Sequence, residues 1–436
     1  MVARRQYAVH PLWPRMAPAW VQFGNFGQYA DWQAALSLGP TVMPSVLRTV
    51  FTMVFLTLGY QGALAHWRMD RRTWIGVAAL FVGGSLGVIA YLNLPAGPSI
   101  GYGILPANVV REARERDYFF VFAFLAWGIW LFKKVRSDLS EAKRLAGELL
   151  AMARELAEPA FELQAQQSIA VTSLCLGEFA AAADAMRQAE AIYDPARFDK
   201  NTQRFGQDPC VACLAFGSIA LHLMGDADGS ARAAERSLEL ARQLGQPSSM
   251  ALALHFSAML HQLRGDAPGA EREARRAMEL AEWEEFSFWH AGGRILCAWA
   301  AAMQGRDPED STAELRAGID AWLATGSRTY HTYFLGLLAD ALLHHGRNAE
   351  ALEVLEGAID LVPVLHEGLH HPELHRLTAA CLARSRRADA VESALEELDV
   401  AADVARRQGA DWVLRQVERQ REALTRRAKT ARGRRR

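Results

Sequence analysis

A glycine that closes an apolar run and precedes an alanine-rich amphipathic run recurs at Gly177, Gly225, Gly265, Gly305 and Gly346, at spacings of 48, 40, 40 and 41 residues. Ser385-Arg386 stands in the same context one period further on. A period of this size is the signature of a stacked array, because one such unit cannot bury its apolar face alone and must cover it with the next. Each unit reads as two helices. The first is rich in large apolar side chains, as over 250–260, where Met250, Leu252, Leu254, Phe256 and Leu260 fall close together. The second carries apolar residues at three- and four-residue spacing: Ala274, Ala277, Met278 and Ala281 share a face opposite Glu271, Arg272 and Arg275. Asp, Asn, Ser or Pro after several of the glycines suits the start of that second helix. The reading is an all-α solenoid of about six helical hairpins over 159–425, preceded by a connector helix over 134–158.

Period alone also admits armadillo-like and HEAT-like pairs, but the inner-turn glycine and the alanines of the second helix favour a tetratricopeptide-like unit. Tyr193-Asp194-Pro195, Gln207-Asp208-Pro209 with Cys213, 253–263 from Ala253 through His261 and Gln262 to Leu263, and Glu373-Leu374-His375-Arg376-Leu377 carry a resemblance. They look like the tetratricopeptide tail of large bacterial signalling proteins that join a nucleotide cyclase or a transcription-activator module to an ATPase. The resemblance covers roughly 150–425 and implies a right-handed superhelix with the first helices on its concave side. It implies recognition of other proteins or peptides, with His222, His255, His261, Gln262, Trp299 and Tyr333 on first helices as the candidate groove. The chain contains no Gly-x-x-x-x-Gly-Lys-Ser/Thr phosphate loop. No catalytic residue and no cofactor is therefore expected, and nucleic acid is not an expected partner.

The N-terminal third reads differently. After an N-terminal segment 1–45, a membrane region 46–133 contains three apolar runs, 49–65, 73–94 and 118–132. The first two carry no charge over 17 and 22 residues, enough helix to cross about 30 Å of hydrocarbon. The third is shorter, with Lys133 and Lys134 placed to snorkel and Trp127 and Trp130 suited to an interfacial belt. Arg68, Arg71 and Arg72 in the first connection and Lys133, Lys134 and Arg136 after the third run give an inner-membrane topology with the repeat domain cytoplasmic. Several segments resemble the later membrane region of protein O-mannosyltransferase-like members of the C-type glycosyltransferases: Gly24-Asn25-Phe26, Ala65-His66-Trp67-Arg68, Tyr91-Leu92-Asn93-Leu94 and the stretch Arg114 to Phe120. This covers about 10–132. The family's early spans and acidic external loop have no counterpart, so the region reads as an anchor, with a partial glycosyltransferase relative as the other reading. Arg114 and Arg116 are the candidate phosphate or lipid contacts, since guanidinium pairs well with phosphate oxygens.

Charge supports the division. Residues 1–132 carry ten Arg against five acids, residues 426–436 carry seven basic groups and no acid, and −13 remains on 133–425 out of the overall −1. The basic tail 426–436 reads as disordered and solvated, with anionic lipid as its chief alternative partner. Cys210-Val-Ala-Cys213 has redox spacing but no second pair, so small buried helix residues are the better account. His366, Glu367, His370, His371, Glu373 and His375 crowd together, yet Pro372 interrupts them and no metal is expected.

Overall fold

The computed structural model describes residues 126–194, 206–385 and 389–433, with side chains through Arg426. Among the described residues the fold is a succession of helix pairs: α2 (Pro159–Leu176) with α3 (Phe179–Ile192), α4 (Pro209–Met224) with α5 (Ala227–Leu244), α6 (Pro247–Leu263) with α7 (Ala267–Trp283), α8 (Ser287–Met303) with α9 (Pro308–Ala324), α10 (His331–His344) with α11 (Asn348–Leu365), and α12 (His371–Leu382) with α13 (Ala390–Gln408). A helix α1 (Leu139–Glu155) precedes them, α14 (Asp411–Gly433) follows, and a helical segment 126–135 leads into α1.

Local chemistry sets the boundaries. The turn glycines Gly177, Gly225, Gly265, Gly305 and Gly346 all sit at positive φ, between 71° and 93°, where a Cβ is disfavoured. The aspartates that follow cap the second helices. Asp226 accepts the Gly229 N–H at 2.8 Å, Asp266 that of Gly269 at 3.0 Å, and Asp307 that of Glu309 at 2.9 Å. Each first helix packs on its own second helix and on the first helix of the next pair, from α2 through α12. First helices such as α4 and α6 are therefore buried nearly all round and need apolar residues on every face. Second helices such as α5 bury one stripe (Ala233, Leu240 and Ala241) and expose the rest.

The array closes on itself. The Cys175 carbonyl, at the end of α2, accepts the backbone N–H groups of Gly368 and Leu369 at 2.8 and 3.2 Å. Gln408, at the end of α13, donates to the Gly368 carbonyl at 2.8 Å. The first hairpin thus meets the loop between α11 and α12, while α14 runs back to touch both α4 and α12.

Three expectations are corrected here. A fold with N-terminal transmembrane helices, and with it a multi-pass inner-membrane location, is overturned as read: among the described residues no helix is long and apolar enough to cross a membrane. The runs 49–65 and 73–94 lie outside the described residues. In the described end of the third run, 126–132, Trp127 and Trp130 are buried by protein, 4% and 2% exposed, while Ile129 is 40% exposed. An all-round apolar helix needs burial, and the pattern itself does not distinguish lipid from protein as the cover. Finally, the tail expected to be disordered from 426 is helical through Gly433.

Candidate functional site

Residues 126–138 pass through the channel lined by the first helices, and each contact there has a chemical reason. The Trp130 indole N–H, buried away from water, donates to the Thr172 hydroxyl of α2 at 3.0 Å. Past Phe132 the segment gives up its backbone carbonyls to the far wall. Thr329 Oγ1 donates to the Lys134 carbonyl at 2.8 Å, and the Arg328 N–H to that of Val135 at 2.8 Å. Ser137 then turns the chain in the left-handed region, at φ 62°, and its hydroxyl donates to the Leu365 carbonyl at 3.1 Å. That strained residue is held in place by Glu367, whose carboxylate takes bonds from the Thr332 N–H and hydroxyl at 2.9 and 2.8 Å and from Ser137 at 3.4 Å. Burial raises the pKa of Glu367 and lowers that of Lys134, whose amine lies 5.8 Å from the Tyr330 ring centre.

Beside this segment lies a cavity of about 110 Å³, bordered by Trp127, Trp130 and Lys134 on one side and by α2, α4, α6, α8 and the α9–α10 connection on the other. Its far wall is aromatic. Phe288 and Trp322 have ring centres 4.0 Å apart, Phe216 meets Phe256 edge-on at 4.8 Å, and His255 stacks on Trp322 at 6.3 Å and 17°. His255, Trp289, Gln167 and Ser327 border it, while His255 Nδ1, Trp289 Nε1, Gln167 Oε1 and the Ser327 hydroxyl are themselves closed off inside the protein.

The six groove candidates do not form one open surface. Tyr333 donates to Gln262 Oε1 at 2.7 Å, a pair closed between α10 and α6 with Tyr333 1% exposed. The Trp299 indole donates to Asp340 at 2.9 Å. His261 is tied to Asp266 at 2.7 Å beside the start of α7. His222 packs against Trp412 of α14 at 4.9 Å. Only His255 reaches the cavity. Its pKa is pulled down to about 4 by burial, so the ring is neutral near pH 7. Arg114 and Arg116 lie outside the described residues. The histidine cluster is split: His375 bonds Glu397 at 2.7 Å and meets His371 at 3.3 Å, while His370 packs on Tyr333 at 5.1 Å. Among the described residues no group of three or more metal-ligating side chains converges. Cys210 and Cys213 are buried free thiols.

Sequence reasoning missed the channel's occupant and the cavity's far wall, Trp289, Trp322 and Ser327. The available signal was the density of Phe and Trp over 286–289, where Phe286, Phe288 and Trp289 crowd the start of α8.

No family model matches the chain. An uncharacterised protein of Rhizobium meliloti is 25% identical over 293 residues, which are 67% of this chain and 28% of that protein. The chain therefore spans under a third of that relative's length. Yeast Tom70 is matched over 86% of this chain and 73% of its own, at TM-score 0.32 and 13% identity. A Rap protein, solved in complex with competence and sporulation factor, is matched over 90% of this chain and 99% of its own, at TM-score 0.52 and 14% identity. That likeness, with the stacked and glycine-closed hairpins, makes the fold a tetratricopeptide-like helical repeat.

Proposed function

We propose that the chain is a non-enzymatic recognition protein whose channel binds a short segment of another protein, in the place its own residues 126–138 occupy. The observation that carries this reading is how those residues are held. Two Trp side chains are buried against the repeat, and protein donors reach successive backbone carbonyls at Lys134 and Val135. Side-chain pockets combined with bonds to the backbone are the usual means of segment recognition. A resident segment of the same chain has a high effective concentration, so an incoming partner must outcompete it or meet it already released. The solved complex of the similar Rap protein, which holds competence and sporulation factor, is consistent with a bound guest.

The test uses a labelled peptide of residues 126–138 and the full chain. Replacing Trp130 by Ala weakens the resident segment, and the free peptide should then bind at least about tenfold tighter than to the wild type, a difference of about 1.4 kcal/mol. Equal binding, or none to either, contradicts an exchangeable channel.

A further inference from the structure

We propose that residues 130–137 act as a strap across the seam where the first hairpin meets the α11–α12 loop: the seated segment keeps the ring shut, and its release lets the seam part. As a control on entry to the channel the strap rests on the segment exchange already proposed; as a device within this chain it needs no partner.

The segment is bonded to both sides of the seam. Toward the first hairpin, the Trp130 indole donates to Thr172 of α2 at 3.0 Å. Thr172 lies about one turn before Cys175, whose carbonyl accepts the Gly368 and Leu369 N–H groups across the seam. Toward the loop, the Ser137 hydroxyl donates to the Leu365 carbonyl at 3.1 Å and reaches Glu367 at 3.4 Å. Neighbouring residues of that loop thus have two tasks. Glu367 holds the segment, and Gly368 holds α2 and, through Gln408, the end of α13. The two share one peptide, so a turn of the loop that loosens one contact moves the other.

The seam itself is lightly tied. Successive first helices pack side chain on side chain. The seam instead is closed by backbone bonds and by two glycines in close approach: a Cβ added to Gly177 would lie 3.1 Å from the Gly368 carbonyl carbon. Lost burial of apolar surface therefore opposes its parting far less than it opposes separating two packed helices. The last helix, α14, is a second tie, bonded to α12 through Gln420 and Arg376 and packed by Trp412 on His222 of α4. That leaves α1–α3 as the part free to swing.

Backbone strain gathers at the same place. Among the described residues five other than glycine have positive φ. Three of them, Ser137, Tyr330 and His366, at 62°, 66° and 55°, stand in the three stretches that meet at Glu367. Residues held this way persist only where their neighbours over-determine them. Release of the segment takes Ser137 out of the set and frees the other two to relax, which gives the loop a second arrangement.

The test uses the full chain with no peptide added. Spin labels on keto-bearing residues at Ala180 and Arg407, exposed at the start of α3 and the end of α13, report the seam by pulsed EPR. A control pair at Arg232 and Arg272 reports the adjacent α5 and α7. Ser137→Ala and Trp130→Phe, which remove the bonds and little else, should each shift the 180–407 distance to longer values and leave 232–272 unchanged. Coupling between two sites is reciprocal, so Gln408→Ala, on the far side of the seam, should speed amide exchange at Arg136, Ser137 and Asp138 at least about fivefold. Those amides are bonded within the segment, to the carbonyls of Phe132, Lys134 and Lys133. Should one variant fail to fold by circular dichroism, the other two decide. An unchanged 180–407 distance in the segment variants, equal widening at 232–272, or wild-type exchange of the segment in Gln408→Ala would overturn the strap. Because these readouts need no guest, they hold or fail separately from the peptide test of the channel.

Discussion

His255 shows how far one residue is legible in a sequence. Its place on a first helix was readable from the repeat, and its inward side only from the tetratricopeptide resemblance, because α6 is apolar on every face. What covers it was not readable, since Trp289 and Trp322 arrive from a later hairpin. The same burial has a titration consequence. With a folded pKa of about 4 against an ordinary value of 6.5, His255 stays neutral in the folded chain while the unfolded chain takes up a proton below about pH 6.5. Its contribution is therefore fully present above pH 6.5 and is lost as the pH falls toward 4. His255→Phe removes this term. Between pH 7 and pH 5 the variant should lose roughly 1–2 kcal/mol less stability than the wild type in urea titrations; identical losses would mean the imidazole is solvated. His222 and His370, both also pulled down to about 4 by burial, act in the same direction. Burial raises Asp208 to about 6 and acts the other way, so the comparison with the single variant is cleaner than the total.

At the scale of elements, the hairpins were legible because their signals are local. Gly225 followed by Asp226 and Gly265 followed by Asp266 carry the left-handed turn and the cap in adjacent residues. Contacts between distant turns leave no such trace. Gly368 is the example: a Cβ added there would fall against the Leu176 carbonyl, and the Gly368 backbone joins Cys175 on one side and Gln408 on the other. Gly368→Ala should push the first hairpin away from the α11–α12 loop at a cost of about 1–3 kcal/mol, the usual range for overpacking a fitted contact. Cys175 is 1% exposed beside that junction. Its labelling by a thiol reagent should quicken in the variant, whereas unchanged labelling and stability would show that the junction does not bear on closure.

At the scale of the whole molecule, a closed superhelix with its own chain threaded through the channel explains why the expected groove residues are paired or covered rather than open. Tyr333 with Gln262 and Trp299 with Asp340 tie first helices to one another, and α14 lays Trp412 over His222. The sequence could not distinguish this from a membrane anchor over 126–132. Both require the same uninterrupted apolar surface, and Trp at either end suits a lipid interface and an aromatic cavity equally. The deciding difference lies in partners far along the chain: Thr172 for Trp130, and Thr329 for the Lys134 carbonyl. The most direct test places a photoactivatable benzoylphenylalanine at position 130 of the full chain, in the presence of lipid vesicles, and maps the adducts by mass spectrometry. Crosslinks to α2 and its neighbours in the channel, falling when Thr172 and its surroundings are altered, are the predicted result. Adducts to lipid, or none within the chain, would contradict the threaded channel.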